Sequence, residues 1–114
     1  MTAKIIDGKK VASKFLEDIK NKVKDAKEKP GLAIVIVGNN PASEIYVGMK
    51  EKRANNLGFY VERHNLKEDV KQDDLLKLVD ELNQNKKIHG FIVQLPLPKQ
   101  INEQMIIDFI LPHK

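Results

Sequence analysis

Leu32-Ala-Ile-Val-Ile-Val37 runs without a polar residue into Gly38-Asn-Asn-Pro41, and this junction decides the fold class. An unbroken, β-branched run of this length reads as a strand buried on both faces, the environment of a parallel sheet. Asn40-Pro41 then starts a helix. Asn caps free N–H groups, and Pro at the first helical position gives up no hydrogen bond.

The same alternation continues on both sides. Asp7-Gly8 opens a helix of about twenty residues, to Lys27 or so, with Val11, Phe15, Ile19 and Val23 at four-residue spacing. Pro30-Gly31 breaks it. After the helix 41–57, Gly58 leads to a strand over 59–65, in which Phe59 and Val61 alternate with polar partners. The periodicity predicts a helix over 72–84 (Leu75, Leu76, Leu78, Val79, Leu82), a strand over 90–94, and a last helix over 102–110. That last helix carries the stripe Met105, Ile106, Phe109 and Ile110. A β-α-β-α-β-α order calls for a parallel sheet covered by helices on both faces. The expected fold is therefore α/β: one three-layer domain, residues 1–114, with a small, mainly parallel sheet flanked by helices. No repeat, low-complexity tract or linker interrupts it. No G-x-G-x-x-G turn is present, so no dinucleotide site is expected in this segment.

On the helix 41–57, Met49, Arg53, Tyr46, Leu57, Lys50, Ala54 and Val47 share one broad arc, and Glu44, Glu51, Asn55, Gly48 and Lys52 take the other side. Lys50 lies near the middle of the mostly apolar arc, one turn after Tyr46. Two readings stay open. The lysine buries its stem and leaves its amine in water, or it lines a cleft where an amine can transfer protons. Tyr46 is either a core aromatic with a surface hydroxyl or part of that cleft. Gln94 ends the strand 90–94, the position beyond which ligands bind in open α/β sheets. It either satisfies local backbone or holds an ammonium through its carbonyl oxygen.

The chain has 114 residues, 41% hydrophobic and 32% charged, which suits a soluble globular domain. No run reaches the roughly 18 apolar residues of a membrane span, and no signal-peptide pattern opens the chain. A cytoplasmic protein is expected. The lack of cysteine excludes disulfides and thiolate chemistry. His64, His89 and His113 are too scattered to predict a metal site, and His89, just ahead of a strand, reads as structural. A net charge of +4 raises the possibility of nucleic-acid binding. Sixteen acidic residues are interleaved with the basic ones, stacking aromatics are few, and no recognition motif occurs, so that reading is set aside.

V-G-N-N-P-A-S-E-I-Y-V-G-M-K at 37–50 and G-F-I-V-Q-L-P-L-P at 90–98 resemble the two signature segments of the bifunctional methylenetetrahydrofolate dehydrogenase/methenyltetrahydrofolate cyclohydrolase family. The likeness also takes in I-I-D-G-K at 5–9, K-E-K-R-A-N-N-L-G-F at 50–59 and L-P at 111–112. The resemblance implies a catalytic group of Tyr46, Lys50 and Gln94. The tyrosine would stack on the folate, the lysine would work at the one-carbon bridge, and the glutamine would hold the lysine. It implies substrate contacts along Ser43, Tyr46, Val47, Gly48, Met49 and Lys50, and along Val93, Gln94, Leu95 and Pro96. For Ser43, a first-turn cap is the equal alternative.

The parent enzyme so implied oxidises 5,10-methylenetetrahydrofolate with NADP and hydrolyses the methenyl product to 10-formyltetrahydrofolate, a step that feeds purine biosynthesis. It would be a homodimer without metal or membrane partner, and this segment alone a monomer. Positive potential suits substrates with anionic glutamyl tails. Family members continue past the position of Lys114 into a pterin-binding aspartate and a C-terminal Rossmann domain. The expectation is an N-terminal catalytic domain cut short of both, with no cofactor site of its own. The alternative is a non-catalytic folate-binding remnant or an isolated structural domain.

Overall fold

A computed structural model describes residues 2–114. The apolar run forms β1 (Gly31–Val37), the central strand of a three-stranded parallel sheet ordered β2-β1-β3, with β2 at Tyr60–Leu66 and β3 at Gly90–Val93. The register pairs Gly31 with Tyr60 through Val37 with Leu66 on one side, and Leu32 with Gly90 through Val35 with Val93 on the other. A central strand covered on both faces has no place for a polar side chain, which is why Ala33 to Val37 are all buried. The edge strand β2 does not show the alternation expected of it: Val61, Glu62, Arg63 and His64 are all half-buried, because the strand lies at the sheet edge with polar side chains on both faces.

Alternate residues of β1 enter two separate cores. Ala33, Val35 and Val37 join Phe91 and Val93 beneath α3 (Gln72–Gln84) and α4 (Glu103–Phe109), with Leu75, Val79, Leu82 and Ile106 fully enclosed. Ile34 and Ile36 face the other way, against Val47 of α2 (Pro41–Asn56), with Leu32 at the margin. The first core is deep and the second thin. Asn83, buried in α3, joins the two outer helices: its amide donates to the Phe109 carbonyl at 2.9 Å and accepts the Leu111 N–H at 3.1 Å.

α1 (Gly8–Asp25) is capped by Asp7, whose carboxylate accepts the N–H groups of Lys9 and Lys10. It ends two residues short of Lys27 because Ala26 turns to an extended conformation. Its stripe does not sit on the sheet: Val23 is buried near Gly58, whereas Val11, Phe15 and Ile19 are exposed. The helix therefore stands off the body. The radius of gyration is 16.8 Å, against about 13 Å for a compact chain of this length. The remaining element ends fall within one residue of the sequence expectation, and α3 spans 72–84 as predicted.

Pro30-Gly31 does more than break a helix. A Cβ on Gly31 would lie 1.8 Å from the Lys87 carbonyl oxygen, so only glycine lets the two backbones meet. The Gly31 N–H donates to Nδ1 of His89 at 2.8 Å, giving His89 the structural role expected of it. From β1 the chain passes through α2 to one edge of the sheet, then returns through α3 to the other. The crevice between the carboxyl ends of β1 and β3 is thus a topological switch point, where open α/β sheets bind ligands.

Candidate functional site

α2 begins on the β1 side of that crevice. Asn40 is its N-cap, accepting the Ser43 N–H at 3.1 Å, and Pro41 follows at the first turn. The packed stripe of the helix is Ser43, Val47 and Ala54, with half-buried Lys50 in line between the last two. Tyr46 and Met49, which the sequence arc places beside Lys50 on the packed face, are 57% and 59% exposed. The helix is rolled toward its Glu44–Glu51 side, away from the arc drawn from hydrophobicity. The cause is polar. Arg63 on β2 donates to Glu44 Oε2 at 2.6 Å and to Glu51 Oε2 at 3.2 Å, so the carboxylates expected in solvent face the sheet instead.

The β3 side supplies Gln94. Phe91 and Val93 point into the α3–α4 core, so the next residue in alternation projects to the α2 face. There the Lys50 amine donates to Gln94 Oε1 at 2.7 Å, while Gln94 Nε2 donates to the Leu95 carbonyl at 3.4 Å. Of the two ends of the glutamine amide only the oxygen can accept, so Gln94 presents Oε1 to the amine. The amine is turned inward rather than left in bulk water. Ser43 is buried, and its hydroxyl donates to the same Leu95 carbonyl at 3.4 Å. It is a tie between helix and turn, and the cap is Asn40. The Leu95–Pro96 peptide of this turn is cis.

The remaining expected contact residues do not converge on this pair. Val47 is fully buried against Ile34 and Ile36, and the Val93 side chain lies on the opposite face of the sheet. Nothing lies within 4 Å of a Cβ built on Gly48, which is on the side of α2 away from Lys50. Leu95 is exposed, and Pro96 lines a neighbouring cavity of about 290 Å³ together with Gly38, Asn39, Asn40, Glu68, Leu97 and Pro98. That cavity abuts the crevice but is not lined by Lys50, Tyr46 or Gln94. The reactive-looking groups therefore sit on an open wall beside it.

A family profile described as tetrahydrofolate dehydrogenase/cyclohydrolase, catalytic domain, matches residues 6–114. The chain belongs to this family. It is 46% identical over 110 residues to the bifunctional protein FolD of Chlamydia felis, a match covering 96% of this chain and 38% of that protein. It is 48% identical to FolD of Halothermothrix orenii, covering 97% and 40%. The solved FolD methylenetetrahydrofolate dehydrogenase/cyclohydrolase of Campylobacter jejuni superposes with a TM-score of 0.90 at 37% identity, over 95% of this chain and 39% of that one. The Trypanosoma brucei enzyme, solved with NADP cofactor and inhibitor, superposes with a TM-score of 0.88 at 32% identity, over 98% and 40%. The chain thus spans about 40% of the length of these relatives.

Within this tetrahydrofolate dehydrogenase/cyclohydrolase domain, two groups lay outside the sequence reading. One is the Arg63–Glu44–Glu51 cluster. Donating to the Glu44 carboxylate raises the pKa of the guanidinium above its ordinary value; burial opposes this and Glu51 adds to it. Its available signal was the seven-residue spacing of the two glutamates, two turns along one helix face. The other is Gln100, whose amide donates to the carbonyls of Glu68 at 2.6 Å and Val70 at 3.1 Å, tying the loop after β2 to the loop after β3. Nothing local in the sequence marks that contact. Among the described residues no group of His, Cys, Asp or Glu is arranged to hold a metal ion. No helix among them is long and apolar enough to cross a membrane.

Proposed function

We propose that this chain is the folate-binding catalytic domain of a methylenetetrahydrofolate dehydrogenase/methenyltetrahydrofolate cyclohydrolase, with Lys50 as its proton-transfer residue. The observation that carries the reading is the 2.7 Å Lys50–Gln94 hydrogen bond at the switch point of the sheet. In the hydrolytic half-reaction, water adds to the cationic bridging carbon of 5,10-methenyltetrahydrofolate, and the Lys50 amine takes one of its protons. The carbon–N5 bond of the resulting carbinolamine then breaks as Lys50 returns that proton to N5. The hydroxyl loses its remaining proton to solvent as the formyl carbonyl forms. Gln94 Oε1 anchors the amine through both transfers, and Tyr46, one turn before it, offers an exposed ring against which a flat heterocycle can stack.

The oxidative half-reaction, in the whole enzyme, is assigned to NADP. The residues described here do not fit the dinucleotide. Asn40 Oδ1 already occupies the Ser43 N–H, and Pro41 has no N–H to give. The turn between β1 and α2, Gly38-Asn-Asn-Pro41, also lacks the glycine-rich run whose amides cradle a diphosphate. In a cytoplasmic enzyme acting as a homodimer, the dinucleotide would be held by residues beyond these.

A second reading, a folate-binding domain without turnover, has one observation in its favour: the wall carrying Tyr46 and Lys50 is open, with Tyr46 57% exposed. A polar group left unmet on a bound ligand costs about 1–3 kcal/mol, one to two decades in affinity. The two readings separate when the chain is incubated with 5,10-methenyltetrahydrofolate and loss of the methenyl chromophore is followed. Hydrolysis above the buffer rate that disappears in Lys50→Met supports catalysis. Binding of a folate analogue by calorimetry with no hydrolysis overturns it in favour of the second reading.

A further inference from the structure

Lys50 reaches Gln94 only because α2 is held at one particular roll angle on the sheet, and apolar packing does little to set that angle. The α2 side of the sheet has a small core, Ile34, Ile36 and Val47, and the flanking buried positions of the helix are the small residues Ser43 and Ala54. Smooth, small contacts allow a helix to rotate about its axis at low cost. A roll of about 20° moves atoms about 6 Å from the axis by about 2 Å, and a hydrogen bond of 2.7 Å does not survive that displacement.

Arg63 opposes such a roll. Its guanidinium uses all three nitrogens: Nη2 on Glu44 at 2.6 Å, Nη1 on Glu51 at 3.2 Å and Nε on Asn65 of its own strand at 3.0 Å. Glu44 and Glu51 are two turns apart on one face of α2. Glu44 directly follows Ser43, and Glu51 directly follows Lys50. One planar group on β2 therefore grips the helix beside both residues that tie it to the β3 turn. A network of this kind is geometrically specific in a way that an isolated surface ion pair is not.

We infer that Arg63 is a positioning residue for the Lys50–Gln94 pair, acting through Glu44 and Glu51 to set the roll of α2. The inference rests on the catalytic reading above for its kinetic consequences, and on geometry alone for its structural ones. It requires the two-point grip, not merely positive charge. Arg63→Lys, which supplies one point charge in place of a fork, should restore only part of what Arg63→Met removes.

The test uses the carbon and nitrogen NMR signals of the Lys50 side chain, assigned by their loss in Lys50→Met, with Gln94→Leu marking the position they take when the hydrogen bond is absent. Arg63→Met should move the Lys50 signals toward the Gln94→Leu position, with Arg63→Lys falling between. It should lower kcat for methenyl hydrolysis about 10- to 100-fold, the usual consequence of misplacing a reacting group by an ångström or so, with little change in KM. Lys50 signals in Arg63→Met that coincide with those of the parent overturn the proposal, as does a raised KM with unchanged kcat, which makes Arg63 a ligand contact. Should Arg63→Met fail to fold, the double variant Glu44→Gln/Glu51→Gln decides on the same two readouts. If the parent chain shows no hydrolysis at all, the functional reading falls and the NMR comparison still settles the positioning role.

Discussion

The amine of Lys50, midway along α2, donates a 2.7 Å hydrogen bond to the amide oxygen of Gln94, the residue just past the end of β3. They are 44 residues apart in the chain. What joins them is the parallel pairing of β1 with β3, which places the turn after β3 beside the helix that leaves β1. The contact is therefore a property of the sheet, and it directs a lysine that would otherwise extend into water.

Lys50→Met keeps the stem that packs between Val47 and Ala54 and removes only the amine. Methenyl hydrolysis should fall by about 10²–10⁴, the usual contribution of a positioned acid–base group. Thermal unfolding should remain near that of the parent. A variant that melts normally and turns over at the parental rate would reduce Lys50 to a packing residue.

Gln94→Leu leaves the lysine in place without its acceptor. The stability cost should be about 1 kcal/mol, the net worth of one hydrogen bond. Activity should drop by less than in Lys50→Met, because the proton carrier survives. Unchanged turnover in this variant would show that the glutamine does not organise the lysine.

Gly31→Ala places a methyl group 1.8 Å from the backbone oxygen of Lys87. Neither backbone can retreat without breaking the Gly31–His89 hydrogen bond or the sheet beside it. A loss of about 3 kcal/mol or more is expected from overpacking of this severity. Urea titration measures it, and a midpoint equal to the parent's would mean that the two segments do not meet in solution.

Leu75→Ala and Phe15→Ala form a matched pair. Leu75 is fully enclosed between the sheet and α4, and its truncation should cost about 2–5 kcal/mol. Phe15 is 64% exposed on α1, and its truncation should stay within about 0.5 kcal/mol. Equal losses in the two urea titrations would show that the α1 stripe is covered in solution.

The alternation of strands and helices, the buried central strand, the Asn40 cap and the limits of α3 were legible in the sequence, because each depends on a period or a cap that a few neighbouring residues determine. The resemblance carried by 37–50 and 90–98 likewise singled out Lys50 and Gln94, which the structure joins. What the sequence could not determine alone was how each helix meets its surroundings. On hydrophobicity, α2 should press Tyr46 and Met49 inward; an arginine from a strand that follows it in the chain draws Glu44 and Glu51 to the sheet and turns both apolar residues out. α1 has as regular a stripe as α3, yet of that stripe only Val23 is buried. Local periodicity records that a helix has an apolar face. Whether that face is covered, and at what roll angle, depends on pairings between distant segments, and those exist only once the chain has folded.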